Sequence, residues 1–111
     1  MDALIGFAGN DYLAGDAGND VIFGGTDNDA ILGGAGNDYL DAGAGDDILI
    51  SGKGNDKLFG GSGNDKFLIT KAPGAIDKIT DFNLAEDSLD LTDFDRSFTD
   101  IKLLATNSSF N

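Results

Sequence analysis

The sequence predicts an all-β chain, a two-sheet β-solenoid of parallel strands with 18 residues per coil. Three observations predict it. Asp2, Asp11, Asp20, Asp29, Asp38, Asp47, Asp56 and Asp65 recur every nine residues without a slip. Two places after each stands an apolar residue: Leu4, Leu13, Ile22, Ile31, Leu40, Leu49, Leu58 and Phe67. Two places before each Asp from Asp11 onward stands Gly9, Gly18, Gly36, Gly45, Gly54 or Gly63, with Asp27 in the equivalent position ahead of Asp29. A period this strict marks a repeat architecture rather than a linker.

The elements follow from one nonad. In "GGAGNDYLD", residues 33–41, "GGAGN" is turn chemistry, with glycines where the backbone must take positive φ or approach another backbone closely. "DYLD" is a short strand of period two, with Asp38 and Leu40 pointing in and Tyr39 and Asp41 pointing out. Four residues of strand bury nothing alone, so two nonads make one coil of turn, strand, turn, strand. Stacked coils place Leu4, Ile22, Leu40 and Leu58 in one sheet, and Leu13, Ile31, Leu49 and Phe67 in the other. The boundary falls at residue 68, where the composition shifts: 1–68 is the repeat region, and 69–111 holds one glycine and no nonad. In and beyond that boundary "KFLITK", "IDKITDF", "SLDL" and "IKLLA" read as short strands, and "DFDRSFTD" as a short helical turn. Phe82, Leu89, Leu91, Phe94, Phe98, Ile101, Leu103 and Leu104 supply apolar content to this segment. A solenoid end exposes unpaired strand edges, so residues 69–111 are expected to form a C-terminal cap and folding nucleus.

Composition narrows the function. A chain of 111 residues has room for one small domain. A formal net charge of -13 disfavours nucleic acid and anionic membrane surfaces as partners. There is no cysteine, hence no disulfide and no thiolate metal site. No apolar run approaches the ~18 residues of a membrane-spanning helix. The start, "MDALIGFAGN", lacks the basic and long apolar regions of a signal peptide and reads as a start methionine on a fragment of a longer protein. There is no His, Cys or Trp, and no Ser has a plausible base partner, so the chain reads as a non-enzyme. Paired Asp residues resemble a glycosidase pair, but their register suits metal ligation better.

The acid is specific. Of the 20 carboxylates only Glu86 is Glu. Residues 1–52 contain ten Asp and no Lys or Arg. Compacting them raises self-repulsion, and one inward apolar side chain per nonad is a thin core against the entropy of ordering nine residues. A cationic stabiliser is missing from the sequence. Calcium fits: it takes six to eight oxygens from carboxylates and carbonyls and needs neither His nor Cys. Stacked turns place each Asp beside the Asp two nonads on, a pair that repels without an ion and clamps with one.

These nonads resemble the RTX repeat, G-G-x-G-x-D-x-U-x. "GGAGNDYLD" and "GGSGNDKFL" match it fully, and the nonads together cover residues 2–68. "DKITDFNLAEDSLDL", residues 77–91, is similar, more loosely, to segments C-terminal to such arrays in secreted bacterial proteins. The resemblance implies a calcium-bound parallel β-roll. In it each ion lies between turns two repeats apart, held by the second and fourth carbonyls and the Asp of the earlier turn. The later turn gives its first and third carbonyls and its Asp. On this chain one site then comprises Gly34, Gly36, Asp38, Ser51, Lys53 and Asp56, and another Asp16, Gly18, Asp20, Gly33, Ala35 and Asp38. A third comprises Gly43, Gly45, Asp47, Gly60, Ser62 and Asp65. A fourth comprises Phe7, Gly9, Asp11, Gly24, Thr26 and Asp29, and a fifth Gly25, Asp27, Asp29, Ala42, Ala44 and Asp47. The implied load is about five calcium ions, within roughly four to seven. Side-chain identity matters little where a carbonyl ligates, so Phe7 and Lys53 are tolerable. Asp27 replaces a turn Gly at some backbone cost, which makes its site the weakest of the five.

Other residues carry two readings. Asp16, Asp41 and Asp46 lie off the Asp register and read as solvated or turn residues. Asp77, Asp81, Asp87 and Asp90 read as turn caps or solvent-facing groups, with one more ion at the end of the roll as the alternative. The outward positions are unexpectedly apolar: Ile5, Val21, Phe23, Tyr39 and Phe59 on one face, and Tyr12, Leu32, Ile48, Ile50 and Leu68 on the other. They reflect β-propensity, or a face covered by the C-terminal segment or a partner. The family implies a secreted bacterial module, unfolded at low calcium and folded outside the cell. It would support the secretion, folding and stability of a larger exoprotein. Type I secretion machinery is then a partner, and the C-terminus resembles its uncleaved signal. The competing function is a polysaccharide- or surface-binding adhesion module on the same roll, for which Lys57, Lys66, Tyr12 and Tyr39 are the supporting residues.

Overall fold

Glycine-rich turns and three- to five-residue strands alternate along the chain because each turn ends at an inward Asp and each strand begins just after it. The computed structural model describes residues 2–69, 77–83, 86–90 and 101–103. Its strands in chain order are β1 (Ala3–Ile5), β2 (Tyr12–Ala14), β3 (Val21–Gly25), β4 (Ala30–Leu32), β5 (Tyr39–Gly43) and β6 (Ile48–Ile50). Then come β7 (Lys57–Phe59), β8 (Lys66–Leu68), β9 (Asp77–Ile79), β10 (Ser88–Asp90) and β11 (Ile101–Leu103). They alternate between two parallel sheets, one in the order β1-β3-β5-β7-β9-β11 and the other β2-β4-β6-β8-β10. This is the all-β parallel solenoid of 18-residue coils expected from the period.

The register is the one the nonads require. Leu4 pairs with Ile22, Ile22 with Leu40, and Leu40 with Leu58 in the first sheet. Leu13, Ile31, Leu49 and Phe67 pair in turn in the second. Ile22, Leu40, Leu49, Leu58 and Phe67 are fully buried and form the seam between the sheets. The ladders run on past the last nonad: Ile79 pairs with Leu58 and Leu89 with Phe67, and Phe82 packs its ring 5.9 Å from that of Phe67. "KFLITK", "IDKITDF", "SLDL" and "IKLLA" each contain a strand. The helical turn expected at "DFDRSFTD" lies outside the described residues.

Leu49→Ala deletes buried methyl groups from a core one side chain deep, so it is expected to cost about 2–5 kcal/mol. Tyr12→Ala, at a side chain 72% exposed, is expected to change stability by no more than about 0.5 kcal/mol. Urea unfolding of the two variants in excess calcium checks the contrast.

Candidate metal centre

Two columns of aspartate line the inner ends of the turns. In one, the backbone N–H of Asp2 donates to Oδ1 of Asp20, Asp20 to Asp38, and Asp38 to Asp56, at 2.7 to 2.9 Å. In the other, Asp11 donates to Asp29, Asp29 to Asp47, and Asp47 to Asp65, at 2.8 to 3.0 Å. From Asp20 onward these residues are at most 3% exposed. The second oxygen is the notable one. Oδ2 of Asp11, Asp20, Asp29, Asp38, Asp47, Asp56 and Asp65 is buried and has no hydrogen-bond partner. A buried carboxylate oxygen without a partner is strongly disfavoured, and here the same atom is orphaned in seven successive repeats.

Backbone oxygens share its space. An ideal Cβ on Gly15 would lie 2.6 Å from Asp20 Oδ2 and 2.8 Å from the Gly33 carbonyl oxygen. On Gly24 it would lie 2.7 Å from Asp29 Oδ2 and 2.6 Å from the Ala42 carbonyl. On Gly33 it would lie 2.9 Å from Asp38 Oδ2 and 2.6 Å from the Ser51 carbonyl, and Gly6, Asp11 and Gly24 repeat the pattern. Each cradle sets an orphaned carboxylate oxygen against the first carbonyl of the turn one coil on, in a space that a side chain on the glycine would fill.

Other expected carbonyls meet the backbone of an adjacent coil. Those of Phe7, Asp16, Gly25 and Gly34 accept from the N–H groups of Thr26, Ala35, Ala44 and Lys53 at 2.8 to 2.9 Å. The carbonyls of Gly18, Gly36, Asp27 and Gly43 approach Gly36, Gly54, Gly45 and Gly61 so closely that a Cβ there would clash. The carbonyls of Ala35 and Ser62 accept from Gly18 and Gly45 at 2.9 and 3.2 Å. A carbonyl has two lone pairs, so one ladder bond leaves the other for a cation. Among the described residues no three carboxylates converge as a metal-binding group, so any ion held here must take much of its shell from carbonyls or water. That donor set, oxygen only and carbonyl-rich, fits a hard cation such as calcium.

The profile of the RTX calcium-binding nonapeptide repeat matches residues 5–40 and 32–67. The chain belongs to that family. No curated protein sequence matches it. The solution structure of the AlgE6R3 subunit from the Azotobacter vinelandii mannuronan C5-epimerase is similar at 33% identity and a TM-score of 0.46. The match covers 74% of this chain and 45% of that one, so this chain spans less than half of that structure's length.

Several RTX turns depart from consensus, with visible consequences. Phe7, Asp16 and Asp27 are non-glycine residues at φ of 72°, 69° and 76°, a left-handed conformation that disfavours a side chain. Asp27 offsets part of that cost by accepting from the Gly9 N–H through Oδ2 at 2.8 Å. Asp16 and Asp46 are exposed, as expected off the register. Asp41 is instead half-buried, and burial followed by the nearby Asp81 carboxylate pushes its carboxyl up.

Past the nonads the columns continue out of period. Asp77 Oδ1 accepts from the Asp56 N–H across 21 residues, and Asp87 Oδ1 from the Asp65 N–H across 22, both at 2.9 Å. Asp87 differs from its predecessors because its Oδ2 accepts from the Asn83 N–H at 2.8 Å. Asp81 accepts from both Gly60 and Gly61 at 2.8 Å. Asp81 and Asp87 are thus turn caps, one of the two readings open to them. The side chain of Asp90 lies outside the described residues. Two further columns, not expected from the Asp period, run beside the aspartate columns. The N–H groups of Asn28, Asn37 and Asn55 donate to Oδ1 of Asn10, Asn19 and Asn37 at 2.8 to 2.9 Å. Asp46 stands in the column of Asn10 and Asn28, taking the Asn64 N–H at 2.9 Å. Their signal, Asn before nearly every register Asp, is present in the sequence.

Burial raises the carboxyls of Asp29, Asp38, Asp47, Asp56 and Asp65, with neighbouring column members adding to the effect. Asp47 is pushed to about 6 and Asp65 to about 8. Folded values above the ordinary 3.8 mean that the metal-free fold binds protons more tightly than the unfolded chain. Their stabilising effect is fully present below the ordinary carboxylate range and is lost as pH rises through about 6 and then about 8. Circular dichroism in excess chelator should therefore show more β-structure near pH 4 than near pH 9. The opposite trend would contradict the buried columns.

Proposed function

We propose that the chain is a calcium-gated folding module. The observation that carries this reading is the run of seven buried Oδ2 atoms with no partner. The same columns do two things. Without a counter-charge, stacked carboxylates repel and the thin core does not hold them together, so the chain stays extended. Calcium, when bound, supplies the positive charge and the oxygen-directed contacts that the sequence omits, and its binding energy becomes folding energy. The five ligand sets that run from Phe7 to Asp65 are the proposed sites. Affinities of roughly 10⁻⁴ to 10⁻³ M, usual for extracellular modules, would keep the chain unfolded inside a cell and folded outside it.

On this reading the module serves a larger secreted bacterial protein. The extended state passes through type I secretion machinery, and residues 69–111 act as cap, folding nucleus and part of the signal. The continuation of both sheets through β9 and β10 supports the cap role. The module carries no reaction of its own. A second reading, a polysaccharide-binding face on the same roll, is favoured by the outer surface of the six-stranded sheet, where Tyr39 pairs with Lys57.

The test is circular dichroism during a calcium titration from chelator upward, with magnesium as control and calorimetry for stoichiometry. A cooperative coil-to-β transition with calcium alone is the expected result. A chain already β-rich and unmoved in chelator at neutral pH would sink the gating. Asp38 belongs to two proposed sites, so Asp38→Asn should remove about two ions and raise the calcium midpoint roughly tenfold. Asp46→Asn, in one of the outer columns, should leave both unchanged.

A further inference from the structure

The outer surface of the six-stranded sheet differs from the rest of this acidic molecule. Tyr39 of β5 stands directly opposite Lys57 of β7, and Lys57 directly opposite Lys78 of β9. The backbone register carries the same row to Lys102 of β11. Like charges on directly opposed residues destabilise a sheet. Among the described residues neither Lys57 nor Lys78 forms an ion pair. Of seven basic residues in a chain of net charge -13, three therefore fall in one cross-strand row.

An aromatic ridge adjoins them. The Tyr39 ring centroid lies 6.1 Å from that of Phe23 and 5.1 Å from that of Phe59. Phe23 is 39% exposed, and Tyr39 and Phe59 are partly exposed. Asp41 sits between Phe23 and Phe59 in the neighbouring row. The face thus offers a ridge of tilted aromatic rings, a carboxylate able to accept from hydroxyls, and two lysines in one row, Lys57 on the same strand as Phe59 and Lys78 one strand farther along.

We propose that this face binds an acidic polysaccharide, with Tyr39, Phe23 and Phe59 as the ring platform and Lys57 and Lys78 as the carboxylate-binding pair. The spacing selects the ligand. Neighbouring strands are about 4.8 Å apart, so Lys57 stands one strand from Tyr39. A uronate carries its carboxylate on the same ring that stacks, which matches that separation. A nucleotide separates its stacking base from its phosphate by a sugar. A neutral sugar leaves the lysine pair uncompensated. A peptide adding to a sheet uses backbone edges, and a face has none to offer. The inference deepens the polysaccharide reading and needs the folded roll, but not the gating of its folding.

The experiment is titration calorimetry on the calcium-saturated chain with an oligogalacturonate too short to gel. Neutral cello-oligosaccharide and oligothymidylate serve as comparison probes. The oligouronate is expected to bind and the neutral sugar not to. The double variant Lys57→Gln/Lys78→Gln should weaken binding at least roughly tenfold, while Lys66→Gln on the opposite sheet should not. Tyr39→Ser should weaken it similarly, and if that variant fails to fold the lysine variant decides. Calcium titrations by circular dichroism on the same samples read the folding transition separately. No oligouronate binding, or binding indifferent to both lysines, overturns the proposal while leaving the calcium reading intact. Tighter, lysine-dependent binding of oligothymidylate would overturn it in favour of nucleic acid.

Discussion

From Asp20 to Asp65, each aspartate of the two inner columns commits one oxygen to the backbone N–H of the coil before it and leaves the other buried without a partner. The rest of the structure depends on this division. The committed oxygen fixes the distance between coils, and the ladders of both sheets follow that distance. The orphaned oxygen makes the same stack costly, because burial and its neighbours work against its charge. A proton or a cation relieves that cost; an apolar side chain does not. A short period, a thin core and an acidic composition are therefore one design seen from three sides.

The turns obey the same demand. Carbonyls must point into the gap between coils, which brings backbones so close that a Cβ on Gly34 or Gly36 would clash with the carbonyl of Asp16 or Gly18. Where the chain departs from glycine it does so near the start of the roll, at Phe7, Asp16 and Asp27. Phe7 and Asp16 have no complete coil before them. Asp27 faces the first turn, whose Gly9 N–H its own side chain can take.

The inner architecture was legible because a period of nine with apolar and acidic residues in fixed phase admits few solutions. Pairings such as Leu40 with Leu58 and Asp38 with Asp56 are the period doubled. What escaped was whatever broke the period or shared it quietly. Asp77 and Asp87 occupy column positions, but they stand 21 and 22 residues on from their partners rather than 18, so no spacing rule finds them. The Asn columns were visible as a repeat, yet nothing in the sequence said that their side chains would accept backbone bonds one coil away. Asp41 looked solvated because strand alternation puts it outward. Its partial burial comes from Phe23 and Phe59 on either side, a tertiary fact.

The outward positions obey a different logic. Inside, every coil must present the same groups, because each gap between coils is lined by two turns. Outside, no such sharing exists, and each coil can vary alone. A row running Val21, Tyr39, Lys57, Lys78 is what such freedom permits and what repetition would not produce. These residues are far apart in an extended chain and become neighbours only when coils stack. Any ligand that needs the ring of Tyr39 beside the ammonium of Lys57 therefore binds the folded state alone, and by linkage it stabilises that state in proportion to its affinity. A cation in the inner gaps and an anion on the outer face would then favour the same fold from opposite sides of one sheet. Each would lower the concentration of the other needed to hold it.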